Sequence, residues 1–193
     1  MTTFAWPDAL TPQSVSWGIH KAAVQFRSPM GGSVQSVEFP ASYWYMSITL
    51  PQAKMRNGGA AEAFFSRLAG GVERVLVPYW PRRIPAGTMR GAPVLAAAAG
   101  RGDLVLVVTA NGTLRAGDMI GVGAQVFQCV TDCADVAGTL TVPLVNRVRG
   151  PMAAGTAVVW NTPTVLCLVP SVTSTAVYAP GMQGGIAVDL EEA

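Results

Sequence analysis

Between residues 88 and 160 the chain is cut repeatedly by turn signals, "GRGD", "ANGTLRAGD", "GVGAQ", "TDCADVAG" and "RGPMAAGT". Only short runs of apolar and β-branched residues survive between them, at 94–97, 103–109, 118–122, 125–130, 139–144 and 157–160. A helix of ordinary length does not fit such gaps. Short strands parted by glycine turns do, and they close most simply as a small β-barrel or sandwich.

The flanking segments read as a different module. Residues 13–50 hold several strand-like runs parted by "SPMGGS" and Pro40. In "YWYMSITL" the residues alternate, with Trp44, Met46, Ile48 and Leu50 on one face and Tyr43, Tyr45, Ser47 and Thr49 on the other. Residues 54–69 give the one helical stripe, Ala60, Ala61, Phe64, Phe65 and Leu68, with Asn57 expected as N-cap and Gly70-Gly71 as the stop. "VERVLVP" is strand-like, "YWPRRIPAGTMRG" is a loop, and 161–193 returns to strands. The expected fold is mainly β: a sandwich or split-barrel-like domain with one α-helix, residues 1–87 with 161–193, carrying an inserted small β-barrel at 88–160.

Composition narrows the function classes. Half of the 193 residues are apolar and only 12% are charged, against about 25% in an average domain. Charge is depleted at the centres of large protein interfaces, so the balance points to a subunit of an assembly. No apolar run approaches the roughly 18 residues of a spanning helix. "MTTFAWPDAL" has neither the basic nor the apolar region of a signal peptide, so a cytosol-like compartment is expected. A net charge of +2 is too small for a nucleic-acid-binding face.

Chemistry-bearing residues do not converge in the sequence. Cys129-x3-Cys133 has the wrong spacing for a zinc knuckle and no second ligand pair follows, so these thiols and Cys167 are expected to be reduced and structural. His20, the single histidine, stands more than 100 residues from any cysteine. "GTLRAGDMIGVGAQVFQCVTD", residues 112–132, resembles a phosphate loop only superficially. Its "GVG" leads into strand composition and no Walker lysine follows. A hairpin in which Gly121 and Gly123 take positive φ fits it better, with Gly117 at a turn and Asp118 bonding local backbone. Asp132 and Asp135 lack EF-hand spacing and read as a solvated turn. "RGD" at 101–103 reads as a turn before a strand, and "PRR" at 81–83 as an exposed loop. Tyr43-Trp44-Tyr45 offers stacking surface for a carbohydrate, yet strand alternation places it half in the core. No catalytic, cofactor-binding or metal-ligating residue is assigned, and an enzyme is not expected.

The order of these features resembles a family of tail proteins. "VQFRSPMGGSVQSVEFPASYWYMSITLP", the helix "AAEAFFSRLAGG", the strand "ERVLVPYW" and the loop "PRRIPAGT" are similar to the N-terminal part of distal tail or tail-tip hub proteins of long-tailed bacteriophages. "LRAGDMIGVGAQVFQCVTDCADVAGTLTVPLVNRVRG" resembles that family's small barrel, and "TPTVLCLVP" its return strand. The resemblance covers roughly residues 20 to 190 and rests on structural motifs. The helix start "RNGGAA" departs from it in being glycine-rich. The resemblance implies a virion protein made in the host cytoplasm, with no cofactor. It would be a ring, expected as a hexamer, joining the tail tube protein to tail-tip hub or baseplate proteins. Neither a membrane nor a specific nucleic-acid sequence would be a partner, though DNA would pass through the channel.

Overall fold

The computed structural model describes residues 2–171, 178–179 and 182–193. Its strands are β1 (Thr3–Ala5), β2 (Ser14–His20), β3 (Ala23–Arg27), β4 (Val34–Glu38), β5 (Tyr43–Thr49), β6 (Ala53–Lys54), β7 (Arg74–Pro78), β8 (Arg90–Leu95) and β9 (Val105–Asn111). They continue with β10 (Met119–Val122), β11 (Gln125–Gln128), β12 (Thr139–Pro143), β13 (Val158–Val159), β14 (Thr164–Leu168), β15 (Tyr178–Ala179), β16 (Met182–Gln183) and β17 (Ala187–Glu192). One helix, α1 (Met55–Leu68), interrupts them. The fold is mainly β.

Contacts divide the chain into two compact units. One comprises Met1–Gly18, Trp44–Arg83 and Thr164–Ala193; the other comprises Ile19–Tyr43 and Ile84–Pro163. Sequence texture draws the inner boundaries at 88 and 160; the contacts draw them at 84 and 163 and group 19–43 with the second unit.

The first unit is built on a six-stranded sheet, in the order β1-β7-β14-β17-β5-β2. Period-2 alternation fixes its faces. Trp44, Met46, Ile48, Val75, Val77, Val165, Cys167, Val188 and Leu190 are buried, and the residues between them are partly or fully exposed. α1 covers the buried side: Phe4 pairs with Val75 in register, and the Arg67 guanidinium of α1 sits 3.9 Å from the centroid of the Phe4 ring. Phe64 and Phe65 pack on Trp6 at centroid distances of 6.0 and 5.8 Å.

The helix begins at Met55, so Asn57 lies inside it and is not the expected N-cap. The two glycines that follow do not delay it. Burial of Ala61, Phe65 and Leu68 carries the helix, since packing of an apolar face outweighs local propensity. Gly70 and Gly71, at φ 85° and 66°, end it as expected. Across β2 and β5 the Tyr45 ring lies on Gly18, where a Cβ would come within 2.4 Å of it; the aromatic ring covers backbone that the glycine leaves bare.

The second unit holds two three-stranded sheets, β12-β9-β8 and β11-β10-β13. They enclose one core, in which Leu95, Leu106, Val108, Leu114, Ile120, Phe127, Leu140 and Val142 are inaccessible or nearly so. All six runs read from the sequence between 88 and 160 became strands. No closed barrel is found among the described residues, which corrects the barrel expectation. Among the described residues the sheets meet at isolated bridges, Val94↔Ala157 on one seam and Cys129↔Leu144 on the other. Strands of four residues or two, as in β10, β11 and β13, are too short to carry a continuous ladder round the core. A few backbone bonds cross the seams, Val130 N–H to Pro143 O at 3.0 Å, Val145 N–H to Gln128 O at 2.9 Å and Leu95 N–H to Thr156 O at 2.9 Å, and side chains add to them. Asn146 Nδ2 donates to Val126 O at 2.8 Å, Gln125 Nε2 donates to Arg147 O at 2.8 Å, and Arg149 N–H donates to Gln125 Oε1 at 3.0 Å.

The hairpin β3–β4 belongs to this unit. Its root is held by charge. Lys21 Nζ donates to Glu38 Oε1 at 3.1 Å and to Val145 O at 2.5 Å, and Arg147 approaches Glu38 Oε2 at 3.6 Å.

Candidate functional site

The stretch 112–132 is a hairpin. β10 and β11 pair antiparallel from Met119↔Gln128 to Val122↔Gln125. Gly123 turns the chain at φ 60° and Gly117 at φ 85°. Gly121 is absent from the positive-φ residues; it sits within the strand and pairs with both Val126 and Val159, which corrects its expected turn role. Asp118 is fully buried. Its carboxylate accepts the Arg115 N–H at 2.8 Å, the local bond expected of it. It also accepts the N–H groups of Ala86 and Gly87 at 2.8 and 3.0 Å. Three amide donors from two segments occupy this acid, so its role is to pin the start of the second unit's long segment.

The thiols are placed for stability, not for attack. Cys129, Cys133 and Cys167 are all buried and unbridged. Burial pushes the Cys129 thiol far up from its ordinary value, and Cys133 and the Asp118 charge add to the shift. Burial also raises Cys133, against a hydrogen bond from the Thr131 side chain. A thiol held neutral is a poor nucleophile, because the thiolate is the reacting form. His20 is engaged elsewhere: it stacks on Tyr43, with centroids 4.8 Å apart and planes 21° apart.

The remaining candidates resolve into turns. Asp132 accepts the Ala116 N–H at 2.9 Å and meets Arg115 at 3.4 Å, and Asp135 accepts the Gly138 N–H at 2.7 Å. No group of three metal-ligating side chains occurs among the described residues. In "RGD" the Asp103 carboxylate folds back on the Gly100 N–H at 2.7 Å, and Gly102 turns at φ 95°. Arg82 and Arg83 lie in an exposed loop. Trp44 is 3% exposed and offers no stacking face. Tyr45 stays half exposed with Gly18 under its ring. No helix among the described residues is long and apolar enough to cross a membrane.

One feature of the surface stands apart from all of these. β3 and β4 form a two-stranded ribbon whose residues are almost all exposed. Its register pairs Val24 with Val37 and Phe26 with Gln35. Directly opposed residues share a face, and Phe39, two places beyond Val37, falls on the same one. That face is apolar and open: Val24 is 43% exposed, Phe26 60%, Val37 40% and Phe39 49%. The other face carries Ala23, Gln25, Arg27, Ser36, Glu38 and Val34. Met30, at the tip, is 99% exposed. Scattered exposed apolar residues are ordinary, but contiguous ones mark interaction surfaces. The sequence carried the signal in the alternation "AVQFR" and "SVEF". What it did not carry was that this apolar side stays exposed among the described residues.

Compared with known proteins, the chain matches no protein-family model and no curated protein.

Proposed function

We propose that this protein is a structural subunit of a phage-like tail, a homo-oligomeric ring at the tail's distal end that links the tail tube to tip or baseplate proteins. The observation that carries the assembly part is the open apolar face of the β3–β4 ribbon, Val24, Phe26, Val37 and Phe39. An amphipathic ribbon with a bare apolar side gains stability when a protein surface covers it. Its polar reverse side suits a surface contact and is unsuited to insertion in lipid.

The tail assignment rests on the segment resemblance, and low charge supports it: 12% charged residues suit a chain whose surface is largely shared with neighbours. The role is mechanical, with no catalytic step, no cofactor, and a hexamer as the expected ring. The ring belongs to the virion after synthesis in the host cytoplasm. A carbohydrate-binding role has less support, because Trp44, the middle residue of the aromatic run, is in the core.

Sedimentation of the purified protein over a concentration series, with negative-stain images of the heaviest species, tests the assembly. Closed rings are expected, and a monomer at every concentration overturns the reading. Antibody labelling of intact particles tests the location. Gold at the end of the tail distal to the head is expected, and label on the head or free protein alone removes the tail assignment.

A further inference from the structure

The first unit presents a partly exposed apolar face of its own. Its α1 lies on the side of Phe4 and Val75. On the opposite side of the six-stranded sheet stand Tyr45, 47% exposed, and Leu76, Pro78, Leu166 and Leu168, each partly exposed. The charges interleaved there are chiefly acidic. Glu191 pairs with Tyr45 and Leu168, and Asp189 pairs with Ser47; Arg74 begins β7, two strands from β17.

Area decides what the ribbon of a second copy can use. An aromatic side chain buries about 150–250 Å² when fully covered, so two half-exposed phenylalanines and two half-exposed valines offer on the order of 400 Å². A standard interface takes roughly 800 Å² from each partner. Two ribbons packed face to face therefore reach about half of what a stable pair needs. A broad sheet face lets the ribbon's tip and edges add to the contact. Charge agrees with that choice. Glu38 is engaged by Lys21 and Arg147, which leaves Arg27 as the charge the ribbon presents to a face bearing Asp189 and Glu191. The long Arg27 stem lets its head reach past the ribbon edge.

Resting on the assembly reading above, we propose that the apolar face of the β3–β4 ribbon of one copy docks on the open face of the six-stranded sheet of the next, around Tyr45, Leu166 and Asp189. Two different surfaces then meet, so each copy gives a ribbon and receives one. A heterologous contact of this kind closes into a ring or runs into a filament, and does not stop at a dimer.

Disulfide trapping tests it in the full-length chain. Gln35 shares the apolar face with Phe26 without supplying its apolar surface, and Asp189 is exposed on the sheet. The double variant Gln35→Cys with Asp189→Cys, treated with a copper–phenanthroline oxidant, is expected to give a ladder of covalent multimers on a non-reducing gel. The native cysteines are buried, so the unsubstituted protein stays at 20.1 kDa. A paired control, Gln25→Cys with Asp189→Cys, places its thiol on the ribbon's polar side and is expected to give no ladder. A dimer from Gln35→Cys alone means ribbon against ribbon and overturns the docking mode. So does an unlinked double variant whose parent protein sediments as an oligomer, and in that case the ring reading stands. A parent protein that sediments as a monomer throughout sinks the ring reading and the docking mode together.

Discussion

Asp118 shows how a residue that resembles a catalytic acid becomes a structural one. A fully buried carboxylate that holds three amide donors is closed to a substrate, and removing it strands buried N–H groups. Asp118→Asn keeps one acceptor oxygen and turns an amide donor toward donors. A loss of about 2–4 kcal/mol is expected, read as a lower urea midpoint. Two glycines give a matched comparison. A Cβ at Gly87 would meet the Thr113 carbonyl oxygen at 2.1 Å and Leu114 Cα at 2.7 Å, both backbone, whereas at Gly18 it would meet only the outer atoms of the Tyr45 ring. Gly87→Ala is expected to cost about 1–3 kcal/mol or more, and Gly18→Ala to stay below about 1 kcal/mol as the half-exposed ring swings aside. The thiols predict a pH effect. The raised value of Cys129 means that the folded state keeps a proton that the unfolded chain gives up near the ordinary value of 9.0. The thiol's contribution is therefore complete below that pH and is lost as the pH rises above it. Urea midpoints should fall above about pH 9, and Cys129→Ala should flatten that fall.

At the scale of elements, the sequence was most legible where a period ran unbroken. The alternation in "YWYMSITL" put Trp44, Met46, Ile48 and Leu50 inside, and all four are buried. Between 88 and 160 glycines at positive φ, Gly102, Gly112, Gly117, Gly123, Gly138 and Gly155, mark most of the gaps between strands, because a left-handed turn residue is a local requirement that no distant contact relieves. The helix start was not legible: Asn57 offers a cap, but the buried stripe beyond it extends the helix past that offer. Closure of the second unit was not legible either, since it depends on whether strands of two to four residues can sustain ladders against each other. Beside the few backbone bonds at Cys129↔Leu144, the seam is tied by the amides of Gln125 and Asn146, whose partners lie some 20 residues away in sequence. Asn146→Ala is expected to cost about 1–3 kcal/mol, because it removes a buried side chain that donates to Val126 O and accepts the Gln128 N–H. Amide exchange should rise at residues 125–128 and 146–149 before it rises in β9. Uniform exchange across the unit would show that the seam is not held by this side chain.

For the whole molecule, the decisive quantity is the apolar area left uncovered in one copy. Phe26 alone is 60% exposed, so an acidic residue in its place converts the gain of covering it into the cost of burying a charge. Phe26→Asp is expected to shift the assembled protein to 20.1 kDa in sedimentation, with circular dichroism unchanged, since the Phe26 side chain is largely exposed and outside the buried core. The nature of the driving force makes a second demand. In the docking proposed above, contact through Val24, Phe26, Val37 and Phe39 would be hydrophobic, with Arg27 and the Asp189–Glu191 pair as a rim. Raising salt from about 0.05 to 0.5 M shortens electrostatic range severalfold yet leaves apolar burial intact or stronger. Cooling weakens apolar burial. Assembly should therefore persist through the salt series and loosen toward 4 °C. Rings that dissolve at high salt and tighten in the cold would place the driving force in the charged rim, and the ribbon would then be a passenger in the contact.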